Sequence, residues 1–374
     1  EDSIREKDLN ALSVEMLTGV IQKHHERKMS RPFKKSGKKL FKESSIKKLI
    51  SKGKNSKAIL EFDKAISKYP EYSEAHFQKG LILYNQNDID GAVISFESAV
   101  KFDNNNIQAN YYAGKCNYKL TDYSSTVIYL STFVKNDDSN DDALYLLGNS
   151  LLELNKPIKA IVPLQKAVEL NKESFEYNSA LGDAFYKTQN FMGAIDYLQA
   201  SLNIDSNQPE SLLKLGLSQF NVNDFTSSSK TLSNYLNSNS DNVDALYYCG
   251  VSFLKNENPI EASKYLGQSL ALDSSDINKI LLYGQTLKQI GEYNSANEQF
   301  DKALELDRNN QVAKEEKVEI LFSQNNFEEA LDLVKKVLIQ DLNNPMAHHL
   351  MAGTLAKLNR LEEAVDAEKK AIKI

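Results

Sequence analysis

Few residues in this 374-residue sequence could make or break bonds. Histidine occurs only as His24, His25, His76, His348 and His349, and cysteine only as Cys116 and Cys249. Adjacent residues on a helix point about 100° apart, so neither histidine pair can share a metal from one face, and all five read as solvated. Neither cysteine has a histidine at motif spacing, and the glycines sit singly rather than in the cluster that cradles phosphate. The expectation is a protein without catalytic site, metal or cofactor. What remains is recognition chemistry at a fixed interval. Glu74, Gln108, Asp142, Glu176, Glu210 and Asp244 recur every 34 residues. Phe77, Tyr111, Tyr145 and Tyr247 stand three places further on, Asp183 seven, and Tyr84, Tyr118, Tyr186 and Phe220 ten. Acids beside aromatic rings suit a segment carrying lysine or arginine, through cation–π contacts and charge-assisted hydrogen bonds. An acid in a first helical turn also complements the helix dipole, a purely structural use of the same residues.

The interval belongs to the elements that must hold these residues. Gly80, Gly114, Gly148, Gly182, Gly216, Gly250 and Gly284 are each 34 residues apart, and Ala92, Ala160, Ala194, Ala262, Ala296, Ala330 and Ala364 follow in one phase twelve residues behind. Two small positions on different helices mark a close helix crossing. A unit of this length is one helical hairpin that buries its apolar side only by stacking on its neighbours. With glycine at position eight, hairpins begin at 39, 73, 107, 141, 175, 209, 243, 277, 311 and 345, the glycine being replaced by Ile46 in the first and Val318 in the ninth. Pairs such as Asn87-Asp88, Asn223-Asp224 and Asn325-Asn326 mark the turns, and Pro209 and Pro345 open helices where a missing N–H costs nothing. The many Asn and Ser residues read as compositional bias of the source genome.

The stretch Ala180-Leu181-Gly182 with Phe185-Tyr186, Phe191, Ala194 and Leu198 resembles the tetratricopeptide repeat, and the resemblance covers residues 39–374. It implies an all-α fold, a right-handed superhelix (solenoid) of about ten helical hairpins. In that family first-helix positions two, five, nine and twelve line a concave groove, which here hold the acids and aromatics named above. Departures are the lack of any Trp, with Leu144, Leu212, Leu246 and Ile280 at position four, and the scarcity of proline near position 32. Chaperone-binding members hold a carboxylate with Lys at position five and Asn at nine, and no hairpin here shows that pair. Members with a sugar-transferase partner carry Asn at position six, where this chain has Gln78, Tyr112, Leu146, Ala180, Lys214 and Tyr248.

Other features lie outside the short repeat. Residues 1–38 form a separate expectation: Leu9, Leu12, Met16, Leu17, Val20 and Ile21 predict an amphipathic helix, followed by a stretch from Lys23 to Lys57 with fourteen basic residues against Glu26 and Glu43. That head carries +9 over residues 1–57 and the rest −15, within a net charge of −6, so the basic segment faces either an acidic partner or its own acidic array. Residues 124–160 match residues 226–262 at 14 of 37 positions, and hairpins three and six share Thr126 with Phe133 and Ser228 with Tyr235 in place of two small residues. Pro163, inside a second helix, predicts a bend. Val365, Ala364, Ala371, Ile372 and Ile374 lie on the last helix with no hairpin after them, implying self-association or a further chain at that end.

The functional expectation is a non-enzymatic scaffold that binds a protein segment, extended or helical and rich in basic residues, within a multi-subunit complex. The alternative is a regulatory arm of a larger enzyme or of a ciliary or transport assembly, since the sequence starts at Glu1 and reads as an excerpt. An acidic groove argues against nucleic acid. No apolar run reaches the roughly 18 residues of a membrane span, and two distant cysteines suggest reduced thiols. A cytoplasmic protein is expected, with cilium or cytoskeleton among the settings that use such scaffolds.

Overall fold

The computed structural model describes residue 46, residues 48–50 and residues 52–374. The amphipathic stretch expected at residues 9–24 and most of the basic stretch lie outside the described residues. All regular structure described is helical, the all-α class that the repeat implies. The helices are α1 (Asn55–Lys68), α2 (Ser73–Asn85), α3 (Ile89–Phe102), α4 (Ile107–Lys119), α5 (Tyr123–Asn136), α6 (Asp141–Glu153), α7 (Pro157–Leu170), α8 (Phe175–Lys187), α9 (Phe191–Ile204), α10 (Pro209–Asn221), α11 (Phe225–Leu236), α12 (Val243–Lys255), α13 (Pro259–Leu272), α14 (Ile277–Gln289), α15 (Tyr293–Leu306), α16 (Gln311–Ser323), α17 (Phe327–Gln340), α18 (Pro345–Lys357) and α19 (Leu361–Lys373). They pack as two compact units, the first ending at Leu154 and the second spanning Asn155–Ile374. Within each unit every helix packs on the next one in sequence. Helix α7 runs unbroken through Pro163.

Each turn inside a hairpin is closed by one backbone device. Residues 53, 87, 121, 155, 189, 223, 257, 291, 325 and 359 all have positive φ, and only Gly53 and Gly291 among them are glycine. The next residue then serves two helices. Asp122 donates its N–H to the Asn117 carbonyl at 2.9 Å, closing α4 in a Schellman motif, while its carboxylate accepts from the Ser125 N–H at 3.0 Å and opens α5. Asp88, Asn190, Asp224 and Asn258 do the same in their hairpins. Between hairpins, Asn106, Asn140, Ser174, Asn242, Asp276, Asn310 and Asn344 cap the first helices. The Asn, Asp and Ser residues at these turns therefore have a structural use as helix caps.

The two helices of a hairpin meet at the repeated glycine. A Cβ placed on Gly114, Gly182 or Gly216 would lie 2.5 to 2.6 Å from the side chain of Leu130, Leu198 or Leu232, and on Gly80 or Gly284 it would lie 2.7 Å from Phe96 or Phe300. Each of those large residues stands sixteen places after its glycine and is fully buried. Where Val318 replaces the glycine, its counterpart shrinks to Val334, and both are fully buried. In the two hairpins with a hydroxyl in place of alanine, Ser228 Oγ donates to the Gly216 carbonyl at 2.9 Å, and Thr126 Oγ1 lies 3.4 Å from the Gly114 carbonyl. Phe133 and Tyr235 are buried in the same two hairpins. At the first hairpin Ile46 is helical and buried with Ala58, Phe62 and Ala65. On α19, Ala364 is buried while Val365 and Ile372 are exposed, as is Ile374 just after the helix, so Ala364 does not belong with those exposed apolar residues.

Two outcomes follow from this geometry. Gly182→Leu should destabilise the second unit by about 1–3 kcal/mol or more, because Leu198 and its backbone leave no room; a denaturant midpoint equal to wild type refutes the seam. Thr121→Gly should act oppositely. Thr121 is an exposed β-branched residue at φ 59°, and release of its left-handed strain should stabilise the first unit by up to about 1 kcal/mol, read as a raised melting temperature.

Candidate functional site

Within each unit most first helices of successive hairpins touch: α4 meets α6 in the first, and α8 meets α10, α10 meets α12, α14 meets α16 and α16 meets α18 in the second. No two successive second helices approach as closely among the described residues. First helices are therefore the ones that meet across successive hairpins, and they carry positions two, five, nine and twelve.

In the first unit this face is aromatic and internally bonded. The Tyr111 hydroxyl donates to Asp142 Oδ2 at 2.6 Å, and Lys115 Nζ reaches the same oxygen at 2.7 Å and the Tyr111 oxygen at 3.1 Å. Burial and then the carboxylate push the Tyr111 phenol up to about 12. Burial alone would lower Lys115, yet its bonds to Asp142 and Tyr111 outweigh that and hold it above the usual lysine range. Asp142, expected to face a ligand, is thus already neutralised. Tyr118 accepts from Asn149 Nδ2 at 2.6 Å, and Tyr145 is half-buried. Phe77 and Tyr84 pack around Tyr112, with ring centroids 6.2 and 5.5 Å away. Glu74 stays exposed and accepts from Gln78 at 2.9 Å.

In the second unit Asp183 lies between two lysines, Lys214 at 2.8 Å and Lys187 at 3.1 Å. Lys214 also stands 3.4 Å from Glu210; burial opposes its charge, but these carboxylates raise its pKa. Glu176, Glu210 and Asp244 are exposed, so the acids at position two remain open here. Beside them, Tyr186 sits edge-on to Phe191, Phe220 edge-on to Tyr248 at 4.9 Å, and Tyr247 edge-on to Tyr248 at 5.4 Å with Lys279 Nζ over its ring. Burial raises the pKa of both Tyr186 and Tyr247. Further along, Lys288 bridges Glu316 and Glu319, and Gln285 donates to Glu316 at 2.6 Å.

Sequence reasoning by position missed Lys115, Lys214 and Lys288, along with Tyr112 and Tyr248. A signal existed. Tyr111 with Asp142, Tyr118 with Asn149, Asp183 with Lys214, Gln285 with Glu316 and Lys288 with Glu319 are each 31 residues apart, one repeat less three, and a search along that diagonal would have found all five.

Models of the tetratricopeptide repeat match residues 47–107, 145–209 and 287–353, together just over half of the chain. Comparison with curated proteins gives no match. Among solved structures the chain is similar to MamA at 21% identity over 45% of this chain and 92% of that one, TM-score 0.41. It is also similar to YrrB, described as a TPR protein with an unusual peptide-binding site, at 20% over 59% and 95%, TM-score 0.36. Yeast Tom70 is similar at 15% over 81% and 76%, TM-score 0.37.

The potentially reactive groups lie elsewhere. Among the described residues no three His, Cys, Asp or Glu side chains group as a metal site, and no helix is long and apolar enough to cross a membrane. His348, read as solvated, is buried instead: its Nε2 donates to the Leu342 carbonyl at 3.0 Å, and its Nδ1 has no partner. His349 meets Glu368 at 3.0 Å and His76 donates to the Pro70 carbonyl at 2.8 Å, while His24 and His25 lie outside the described residues. Both cysteines are free and fully buried, and burial pushes Cys116 up to about 12 and Cys249 up to about 11. Thiols held neutral and shielded should resist iodoacetamide in the native protein near neutral pH and react fully in guanidinium. Rapid native labelling, read by mass spectrometry, counts against this packing.

Proposed function

The chain belongs to the tetratricopeptide repeat family, and we propose that it is a non-enzymatic scaffold whose inner first-helix face grips an extended or helical protein segment carrying lysine or arginine. The observation that supports this most directly is the row of exposed carboxylates of Glu176, Glu210 and Asp244, one on each of three successive first helices of the second unit. Tyr186 and Phe220 lie half-buried on the same helices and offer ring faces to the same cations, while the half-buried Tyr247 ring already carries Lys279 Nζ. In the first unit Glu74, Phe77, Tyr84, Tyr111, Tyr118 and Tyr145 extend the aromatic character with fewer open acids. Each exposed charge pair contributes modestly, so the segment must place several cations in register with the repeat. A negatively charged face of this kind disfavours nucleic acid.

The test uses a set of fluorescent peptides of equal length carrying Lys/Arg, neutral or Asp/Glu residues. Basic peptides should bind the full chain, more weakly as salt rises. Glu210→Lys with Asp244→Lys should lower that affinity about five- to tenfold, the sum of two reversed surface pairs, and leave the melting temperature unchanged. Equal binding of acidic peptides, or an unaffected double variant, refutes the reading.

A further inference from the structure

At three seams between hairpins, position 25 of a second helix meets position 7 of the next first helix: Asp63 lies 2.7 Å from Lys79, Ser233 lies 3.4 Å from Cys249, and Asp301 pairs with Lys317. Hairpin seven brings no side chain to this meeting. It has Gly267 there, and a Cβ on that residue would lie 2.8 Å from the hydroxyl of Tyr283, its position-7 counterpart. One turn later stands Ala271, where other hairpins carry long residues such as Lys101, Lys135, Glu169 and Glu305. The two small residues line a cavity of about 420 Å³ enclosed by α13, α14 and α15, all within the second unit.

The buried part of the lining is apolar with one exception. Beside Leu270 and Ile280 it includes Gln299, only 6% exposed, whose Oε1 accepts no hydrogen bond from any described residue. Buried amide oxygens are nearly always satisfied, so one left open at a cavity points to a donor that the chain itself does not supply. A cavity of this size, at the low end of ligand sites, suits one side chain or a small molecule. We infer that it takes the indole ring of a partner protein's tryptophan, whose N–H donates to Gln299 Oε1. Indole meets both requirements, since it is a wide apolar body with a single donor and no acceptor for the apolar lining to leave unpaired. The terminal torsion of glutamine is broad, so the oxygen turns to that donor without a shift of α15. The exposed lining residues Lys302 and Glu305 are of opposite sign and give no preference for an ionic group. None of the 374 residues is tryptophan, so a second copy of them cannot provide the ring. Leu306, in the lining and 54% exposed, extends the apolar surface outward, where the residues flanking a tryptophan cover it and a free indole does not. The site is separate from the first-helix face and does not rest on the groove reading.

Because the chain holds no tryptophan, indole emission reports the probe alone. A blocked peptide with one tryptophan between alanines should show blue-shifted emission and raised anisotropy as the full chain is added. Its 1-methyltryptophan counterpart, which lacks the N–H, should bind about tenfold more weakly, and Gln299→Leu should remove that difference. Ala271→Lys, a surface change to a residue type that other hairpins carry at this position, should lower the affinity at least about tenfold and leave the melting temperature in place. Glu210→Lys with Asp244→Lys should not alter it, which keeps this result apart from the test of the groove. Unshifted emission, equal binding of the methylated probe, or affinity that survives Ala271→Lys overturns the inference. N-acetyltryptophanamide binding as tightly as the peptide also overturns it, since the cavity would then belong to a free indole compound.

Discussion

One close approach underlies the stack: a glycine Cα on the first helix of a hairpin against a leucine or phenylalanine sixteen residues later on the second. With any Cβ the distance falls below 3 Å in all six described instances where the large partner is Leu or Phe. The glycine therefore fixes how near the two axes come, and dispersion contacts across that crossing follow from it. Glycine inside a helix costs about 1 kcal/mol relative to alanine. The array tolerates that penalty repeatedly because each crossing buries a whole Leu or Phe side chain, which contributes about 1.5–3 kcal/mol. The exception supports the rule, since Val318 is accommodated only opposite the shorter Val334.

This seam was legible in the sequence because both partners are restricted in type at one spacing. Periodic glycine and alanine leave a trace that needs no structure, and the turn pairs such as Asn223-Asp224 leave another. Thr121, Gln189 and Glu257 were not legible as left-handed residues, since nothing in those types favours positive φ. There the closure of the surrounding hairpin overrides local preference. The caps were legible only as turns: Asn106, Asn140, Asn242 and Asn310 stand in one phase as acceptors for helix N–H groups, a role that their residue type alone does not distinguish from a plain turn.

The inner face was half legible. Its acids and aromatics stand in rows along single positions, and such rows are easy to read. Its bonds run along a diagonal instead, from position p of one first helix to position p − 3 of the next, because neighbouring helices are offset by nearly one turn. Tyr111 with Asp142 and Lys288 with Glu319 obey the same offset with different chemistry. No single position shows it. An acid counted as available for a ligand is therefore available only if no lysine lies on its diagonal or one turn from it.

That condition separates two kinds of groove within one fold. Asp142 already accepts from Lys115 and Tyr111, so a ligand cation there must displace an ammonium that burial and its partners both define. Little net attraction remains after such an exchange, since one charge pair replaces another. Among the described residues Glu176 and Asp244 form no ion pair, and Glu210 shares Lys214 at 3.4 Å with the much better placed Asp183. The carboxylates of Glu176 and Asp244 are left without a salt-bridge partner, and that of Glu210 is only partly engaged. A basic segment consequently gains most where the sequence placed acids without a lysine on the diagonal, from the fifth hairpin to the seventh, and gains mainly ring contacts against the tyrosines of the first unit.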